Sequence, residues 1–309
     1  MVEKVDCPWL ARGGWGAILL LALFVSPAWA GEFQRPAKVR AVVLGGSISK
    51  YFKGNYGEFL QHGCKNLEVV NRAKVGLGGA ALLGRLQDDI LGDAALMEEL
   101  QGAPEAWLFF QGGLNSVGSP AATSLHLSRI FGVAAGAGLR TMVLGLTPWG
   151  EEADRRFEGW QGMATVRATR KVNAYLSGHL TPDEALGKVG GDRPHAWMRG
   201  ELPEIAVDLW EAGLRDADAP LRPLEPLAAS FDASPYRKET ARRAALIAEA
   251  RAVPRHFLRP DLRDFDHVHP NTDGHRLMAL ATCRKAPASW GCDCRRIERA
   301  RWKGKVVGP

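Results

Sequence analysis

Long apolar runs are almost missing from these 309 residues. The most apolar one, Ala17 to Val25, falls well short of the roughly 18 to 20 residues a membrane-spanning helix needs. Nucleotide signatures are missing too: there is no P-loop, and no G-x-G-x-x-G follows the first predicted strand, so no cofactor is expected. Cysteine is sparse at five, and no histidine follows Cys283, Cys292 and Cys294 at zinc-finger spacing. No internal repeat interrupts the chain. Basic residues exceed acidic ones by only six, too few to imply a nucleic-acid partner.

What is present begins with a leader. Lys4 and Arg12 precede the Ala17–Val25 run, and PAWA ends at Ala30 with small residues where a signal peptidase reads. Residues 1–30 are therefore expected to be a secretory signal, the alternative being an uncleaved anchor, and either exports the rest. Cys7 leaves with the leader. Cys64, Cys283, Cys292 and Cys294 then form an even set, which in an exported chain favours disulfides, in one of three connectivities, over a metal site.

Residues 31–309 are enough for one large domain. VRAVVLGG, LEVVNRA, AWLFFQGG, LRTMVLGLTPW and EIAVDLW have the length and composition of buried strands. Helices are expected over Gly79–Leu100, Ala121–Ala137 and Met163–Leu180. That alternation predicts an α/β fold, a parallel sheet covered by helices on both faces, with functional loops at the carboxyl ends of the strands. The segment 181–262 breaks the rhythm and holds nine of the eighteen prolines. It is expected to be an insertion that shapes a substrate pocket, with a helix capped by Ser234 and running to Val253. Arg295 to Lys305 is a basic tail, read as a solvated terminus.

Four strand ends carry polar chemistry in order. GGSISKYF presents Ser47 at a glycine turn, NRAKVGLGG presents Gly76, QGGLNS presents Asn115, and DFDHVHPNTDGH presents Asp266 and His269 before a last helix. A nucleophilic serine needs a base, the base a carboxylate, and the oxyanion formed on attack two or three donors. The set holds all of these. Asp264 and His267 form an overlapping D-x-x-H without the following Pro-Asn, and His275 is read as structural.

The order Ser, Gly, Asn, His, with the last in D-x-x-H-P-N-x-x-G, resembles the blocks of the SGNH/GDSL hydrolases from Val39 to Ala281, and VDLW at Asp208 is similar to that family's fifth strand. The resemblance implies a flavodoxin-like three-layer sandwich and a metal-free serine esterase. Ser47 would be nucleophile, His269 base, Asp266 its orienter, and Ser47, Gly76 and Asn115 the oxyanion hole. Gly46 stands where the family usually has aspartate before the serine, and Ser116 where aspartate usually follows the asparagine. The expected substrate is an acylated small molecule, glycan or lipid, handled outside the cytoplasm by a secreted or periplasmic protein. Ten tryptophans able to stack on sugar rings favour an O-deacetylase of glycan or cell-wall material. The alternatives are a lipid acyl esterase of lysophospholipase type and a hydrolase-like domain that binds without turnover.

Overall fold

The computed structural model describes residue 33 and residues 37–187 and 196–301. The leader expected over 1–30 lies outside them, as does the tail beyond 301. In chain order the chief elements are β1 (Val39–Gly45), α1 (Tyr56–Gly63), β2 (Leu67–Asn71), α2 (Gly79–Arg85), α3 (Ala94–Gln101), β3 (Glu105–Gln111), α4 (Pro120–Gly136), β4 (Arg140–Leu144) and α5 (Gly159–Leu176). They continue with α6 (Pro182–Leu186), β5 (Ile205–Val207), α7 (Leu224–Ala229), α8 (Arg243–Arg251), α9 (Thr272–Cys283) and α10 (Cys294–Arg299). No helix among the described residues is long and apolar enough to cross a membrane.

All five predicted strands form, and they pair in parallel in the order β2-β1-β3-β4-β5, the flavodoxin-like doubly wound arrangement. Side chains of a strand alternate between faces, so a doubly covered sheet must split every strand between two cores. It does: Val42, Leu44, Leu108, Phe110 and Val143 join one apolar cluster with residues of α2 to α5. Val39, Ala41, Val43, Trp107, Phe109 and Met142 join the other with α1, α9 and α10. Phe109 stacks on Trp290 at 5.0 Å and Trp107 meets it edge-on at 5.2 Å. Each such fully buried side chain contributes about 1.5–3 kcal/mol of transfer free energy.

The four cysteines beyond residue 30 pair as Cys64–Cys292 and Cys283–Cys294. The first bond joins the end of α1 to the segment after Trp290, and the Asp293 N–H donates to the Gly63 carbonyl at 2.9 Å. Together they hold the segment from Cys283 to Ile297 against the second core.

Two helical expectations are corrected. Gly79–Leu100 is not one helix: a π-helical turn at Leu86–Leu91 ends at Gly92, and the Asp93 carboxylate then caps α3 by accepting from the Leu96 N–H at 3.1 Å. Nor does a helix start at Ser234. The Ser234 hydroxyl takes the Tyr236 N–H at 3.2 Å, and Glu239 keeps a non-helical backbone at φ −92°, ψ 48°. Tyr236 lies against Trp160 at 5.9 Å with the Arg167 guanidinium over its ring at 5.3 Å. These contacts hold the chain in turns, and α8 begins only at Arg243.

Candidate active site

The sheet order reverses at β1, so the loops leaving β1 and β3 diverge above the sheet and open a crevice between them. Ser47 follows β1 and Asn115 follows β3, which puts both at this switch point. The β1 turn is tight: a Cβ at Gly45 would collide with the Ser49 side chain and the Gln111 carbonyl, so glycine is required there. Asn71 at the end of β2 donates to the Ser49 carbonyl at 2.7 Å and accepts from the Ala73 N–H at 2.9 Å, tying the β2 loop to the serine turn. Ser49 itself is fully buried and spends its hydroxyl on Tyr56 and Gln111.

The turn before α9 brings its two polar residues to Ser47. His269 Nε2 lies 2.7 Å from Ser47 Oγ, and His269 Nδ1 lies 2.8 Å from Asp266 Oδ2. Asp266 Oδ1 accepts the backbone N–H groups of Val268 and His269, both at 2.8 Å. Burial alone would raise the Asp266 carboxyl, but these N–H groups, the imidazole hydrogen bond and the charge of His269 outweigh it and hold it below the usual carboxylate range. With Asp266 ionised, Nδ1 carries the proton and Nε2 is free to accept from the Ser47 hydroxyl. Asn271 caps α9 by accepting the Gly274 N–H at 3.0 Å, which anchors the whole turn.

The donors expected beside Ser47 lie on two loops. Asn115 Nδ2 donates one hydrogen to the Leu77 carbonyl at 3.1 Å, which orients the amide and leaves its second hydrogen unspent. A Cβ at Gly46 would lie 3.8 Å from that Nδ2 and 3.9 Å from the Leu77 oxygen, so the serine, glycine and asparagine loops meet at this point. Gly76 adopts φ +77°, a left-handed conformation that turns the chain into the loop before α2. It is not among the residues lining the adjoining cavity, whereas its neighbour Leu77 is. Ser116 fastens the asparagine loop, accepting the Gly79 N–H and donating to the Gly113 carbonyl, both at 3.1 Å.

The overlapping pair is not brought together. Asp264 faces Lys53 at 3.3 Å, while His267 places Nε2 2.6 Å from Asp154 and Nδ1 3.2 Å from Glu151. His275 is fully buried, stacked on Tyr51 at 4.5 Å, and pushed down to about 3 by burial and by the charge of His269, so it stays neutral.

The cavity beside Ser47 measures about 510 Å³. Its walls include Ile48, Leu114 and Val117 from the serine and asparagine loops, then Trp149, Arg156 and one stripe of α5. Arg156 lies over the Trp149 ring at 4.5 Å and is clamped by Asp154, with Nε 3.0 Å from Oδ1. The sequence reading missed this wall. Its one signal was position, since TPWG directly follows β4 and functional loops gather at such ends.

The 181–262 segment, expected to shape the pocket, supplies none of its described lining residues. Its buried Arg222 instead pairs with Glu152 at 3.0 Å and donates to the Gly159 and Phe157 carbonyls. It thus braces from behind the loop that carries Arg156.

No protein-family model matches the chain, and no curated protein matches it. Among solved structures it is similar to a GDSL-like lipase from Bacteroides thetaiotaomicron, at 13% identity and TM-score 0.47 over 81% of this chain and 90% of that one. It is also similar to an acetylxylan esterase from Geobacillus stearothermophilus, at 13% identity and TM-score 0.46 over 84% and 97%. A lipase/acylhydrolase from Enterococcus faecalis matches at 15% identity and TM-score 0.41 over 86% and 98%. Likenesses this distant decide nothing about chemistry.

Proposed function

We propose that this chain is an SGNH-type serine esterase that works outside the cytoplasm and removes short acyl groups from a polar, sugar-like alcohol. The observation that carries this is the unbroken relay from Ser47 through His269 to Asp266, with heavy-atom distances of 2.7 and 2.8 Å. In the reaction Ser47 Oγ attacks the ester carbonyl as its proton passes to His269 Nε2. The oxyanion is met by the backbone N–H groups of Ser47 and Gly76 and by the spare hydrogen of Asn115 Nδ2. His269 then gives the proton to the departing alcohol, leaving an acyl-Ser47 ester. A water, deprotonated by the same nitrogen, adds to that ester and releases the carboxylic acid, and the proton returns to Ser47. Asp266 keeps its charge throughout and favours the imidazolium formed in both halves.

Several features support a short acyl group on a polar alcohol over a lipid. The cavity wall mixes Gln111, Gln161, Thr165 and Arg156 with apolar residues, and Trp149 offers an aromatic edge. Two disulfides suit an exported protein. The test is twofold: labelling of Ser47 by a fluorophosphonate, and turnover of p-nitrophenyl esters from acetate to decanoate. Labelling that vanishes in Ser47→Ala, with acetate turned over faster than decanoate, is expected. Labelling that persists in Ser47→Ala overturns the assignment of the nucleophile. Decanoate preferred over acetate replaces the sugar-ester reading by the lipid one. A protein that takes no label and turns over none of these esters would be a binding module.

A further inference from the structure

Helix α5 presents two different stripes to two different cavities. Gln161, Ala164, Thr165 and Ala168 line the cavity beside Ser47, spaced i, i+3, i+4, i+7. Arg167, Arg170, Lys171 and Ala174 repeat that spacing six residues on, about 120° around the helix, and line a second cavity of about 610 Å³. Met163, Val166, Val172 and Leu176 pack into the core. The second cavity is closed on its other sides by Trp210, Arg215 and His256, beyond the carboxyl end of β5.

Its charges are unevenly spent. Arg167 is committed to Glu249, with Nε 2.7 Å and Nη2 2.6 Å from the carboxylate. Arg215 touches Glu211 only at 3.5 Å, and Arg170 and Lys171 make no ion pair with any described residue. The carboxylates in the wall are otherwise engaged. Asp208 caps the Trp210 N–H at 2.8 Å, and Glu184 accepts from the Thr181 N–H and hydroxyl, both at 2.8 Å. Three buried polar atoms lack a partner here: Nε1 of Trp210, a residue only 7% exposed, Nε of Arg215 and Nδ1 of His256. The Trp210 and His256 rings lie 5.4 Å apart. A buried indole N–H and an imidazole nitrogen without a partner, beside Arg170 and Lys171, which make no ion pair with a described residue, are donors that an acceptor-rich ligand would satisfy.

We infer that this second cavity is a binding site for an oxyanion borne on a small or sugar-like molecule, a carboxylate or a phosphate, held by Arg170, Lys171 and Arg215 with Trp210 and His256 at its base. Burial, then the nearby Arg170 and Arg215, push His256 down to about 4, so the ring is neutral when the site is empty and supplies a local reporter. The inference stands apart from the esterase reading, because none of these residues lines the Ser47 cavity.

The experiment is an NMR titration of the full chain, following the His256 ring resonances at near-physiological ionic strength, where exposed charges are screened beyond about 8 Å. The probes are sodium glucuronate, inorganic phosphate and neutral glucose, with three proteins: wild type, the double variant Arg170→Ala/Lys171→Ala, and Arg156→Ala as a control at the other cavity. A saturable shift with at least one anion and none with glucose is expected. Charge-assisted hydrogen bonds of this kind should make the double variant bind about tenfold more weakly or worse, while Arg156→Ala binds as wild type. Glucuronate alone binding identifies a sugar carboxylate, phosphate alone a phosphate, and both a site for the oxyanion itself. No shift up to about 50 mM, a range that reaches well past millimolar affinity, overturns the inference. So does equal binding by the double variant, or loss of binding in Arg156→Ala. Near-ultraviolet circular dichroism and the thermal midpoint of each variant report that the fold is intact, so a failed titration is not mistaken for an unfolded protein.

Discussion

Replacing Asp266 by asparagine changes one atom and should reverse the direction of a proton. In the native turn Oδ1 holds two backbone N–H groups at 2.8 Å and Oδ2 faces His269 Nδ1 at 2.8 Å. Asparagine satisfies the backbone donors only with its carbonyl oxygen in the first position. That places the amide NH2, a donor, against Nδ1. The imidazole must then accept at Nδ1 and carry its proton on Nε2, the nitrogen that should take the proton of Ser47. By analogy with serine-protease triads the loss in kcat reaches about 10⁴, which is about 5.4 kcal/mol of transition-state stabilisation at 1.36 kcal/mol per decade. The turn itself keeps both backbone hydrogen bonds, so near-ultraviolet circular dichroism and thermal midpoint at neutral pH should change little. Acetate-ester turnover, measured at matched folded fraction, is the assay, with Asp264→Asn as the control expected to lose less than about tenfold. A loss below tenfold in Asp266→Asn, or a larger loss in Asp264→Asn, would refute the proton path through His269.

Asn115→Ala removes one donor aimed beside Ser47 and should lower kcat by about 10² to 10³ with little change in KM; a change confined to KM would make Asn115 a substrate-binding group instead. His269→Ala should be nearly inactive, whereas His267→Ala should cost less than about tenfold on a small acetate ester, since its ring engages Asp154 and Glu151 rather than Ser47; a dead His267→Ala beside an active His269→Ala would reverse the two roles. Glu58 is pushed up to about 7 by burial, with one carboxylate oxygen buried and unpaired. Because the folded state holds that proton more tightly than the unfolded chain does, stability should fall as pH rises through about 7, and Glu58→Gln should abolish the fall. After allowance for solvent screening the gain above pH 7 is on the order of 1 kcal/mol, with none near pH 4, read from denaturant midpoints.

How much of this was legible in the sequence depended on how far apart the interacting residues lie. The five strands announced themselves as short apolar runs, since burial on both faces leaves little room for polar residues there. Ser47 and His269 sat in short local patterns of glycine, Asp and His-Pro-Asn, and the geometry that unites them, across 222 positions, is the sheet's own. The wall formed by Trp149 and Arg156 was not legible, because EEADRRF reads as a solvated charged stretch. Its order comes from Asp154 meeting His267, 113 residues away, and from Arg222, 70 residues away, meeting Glu152. The Ser234-Pro235 signal was a sound local rule overridden by Tyr236 packing on Trp160. The 181–262 segment was expected to shape the pocket, yet its described residues stay out of the lining beside Ser47, and Arg222 braces a loop behind it.

The bond between Cys64 and Cys292 has a consequence for timing. A ribosome releases Ser47 early and the Asp266–His269 turn more than two hundred residues later, so the growing chain carries Ser47 without His269 for most of its synthesis. The segment that follows that turn is fastened at Cys64, twelve residues beyond the end of the serine motif GGSISKYF, and the fastening requires an oxidant. Without the bond the C-terminal part docks through its apolar contacts and through backbone hydrogen bonds such as that from the Asp293 N–H to the Gly63 carbonyl; with it, the part is also tied covalently. The Asp266–His269 turn therefore gains a covalent backstop only after the whole chain has been made and oxidised.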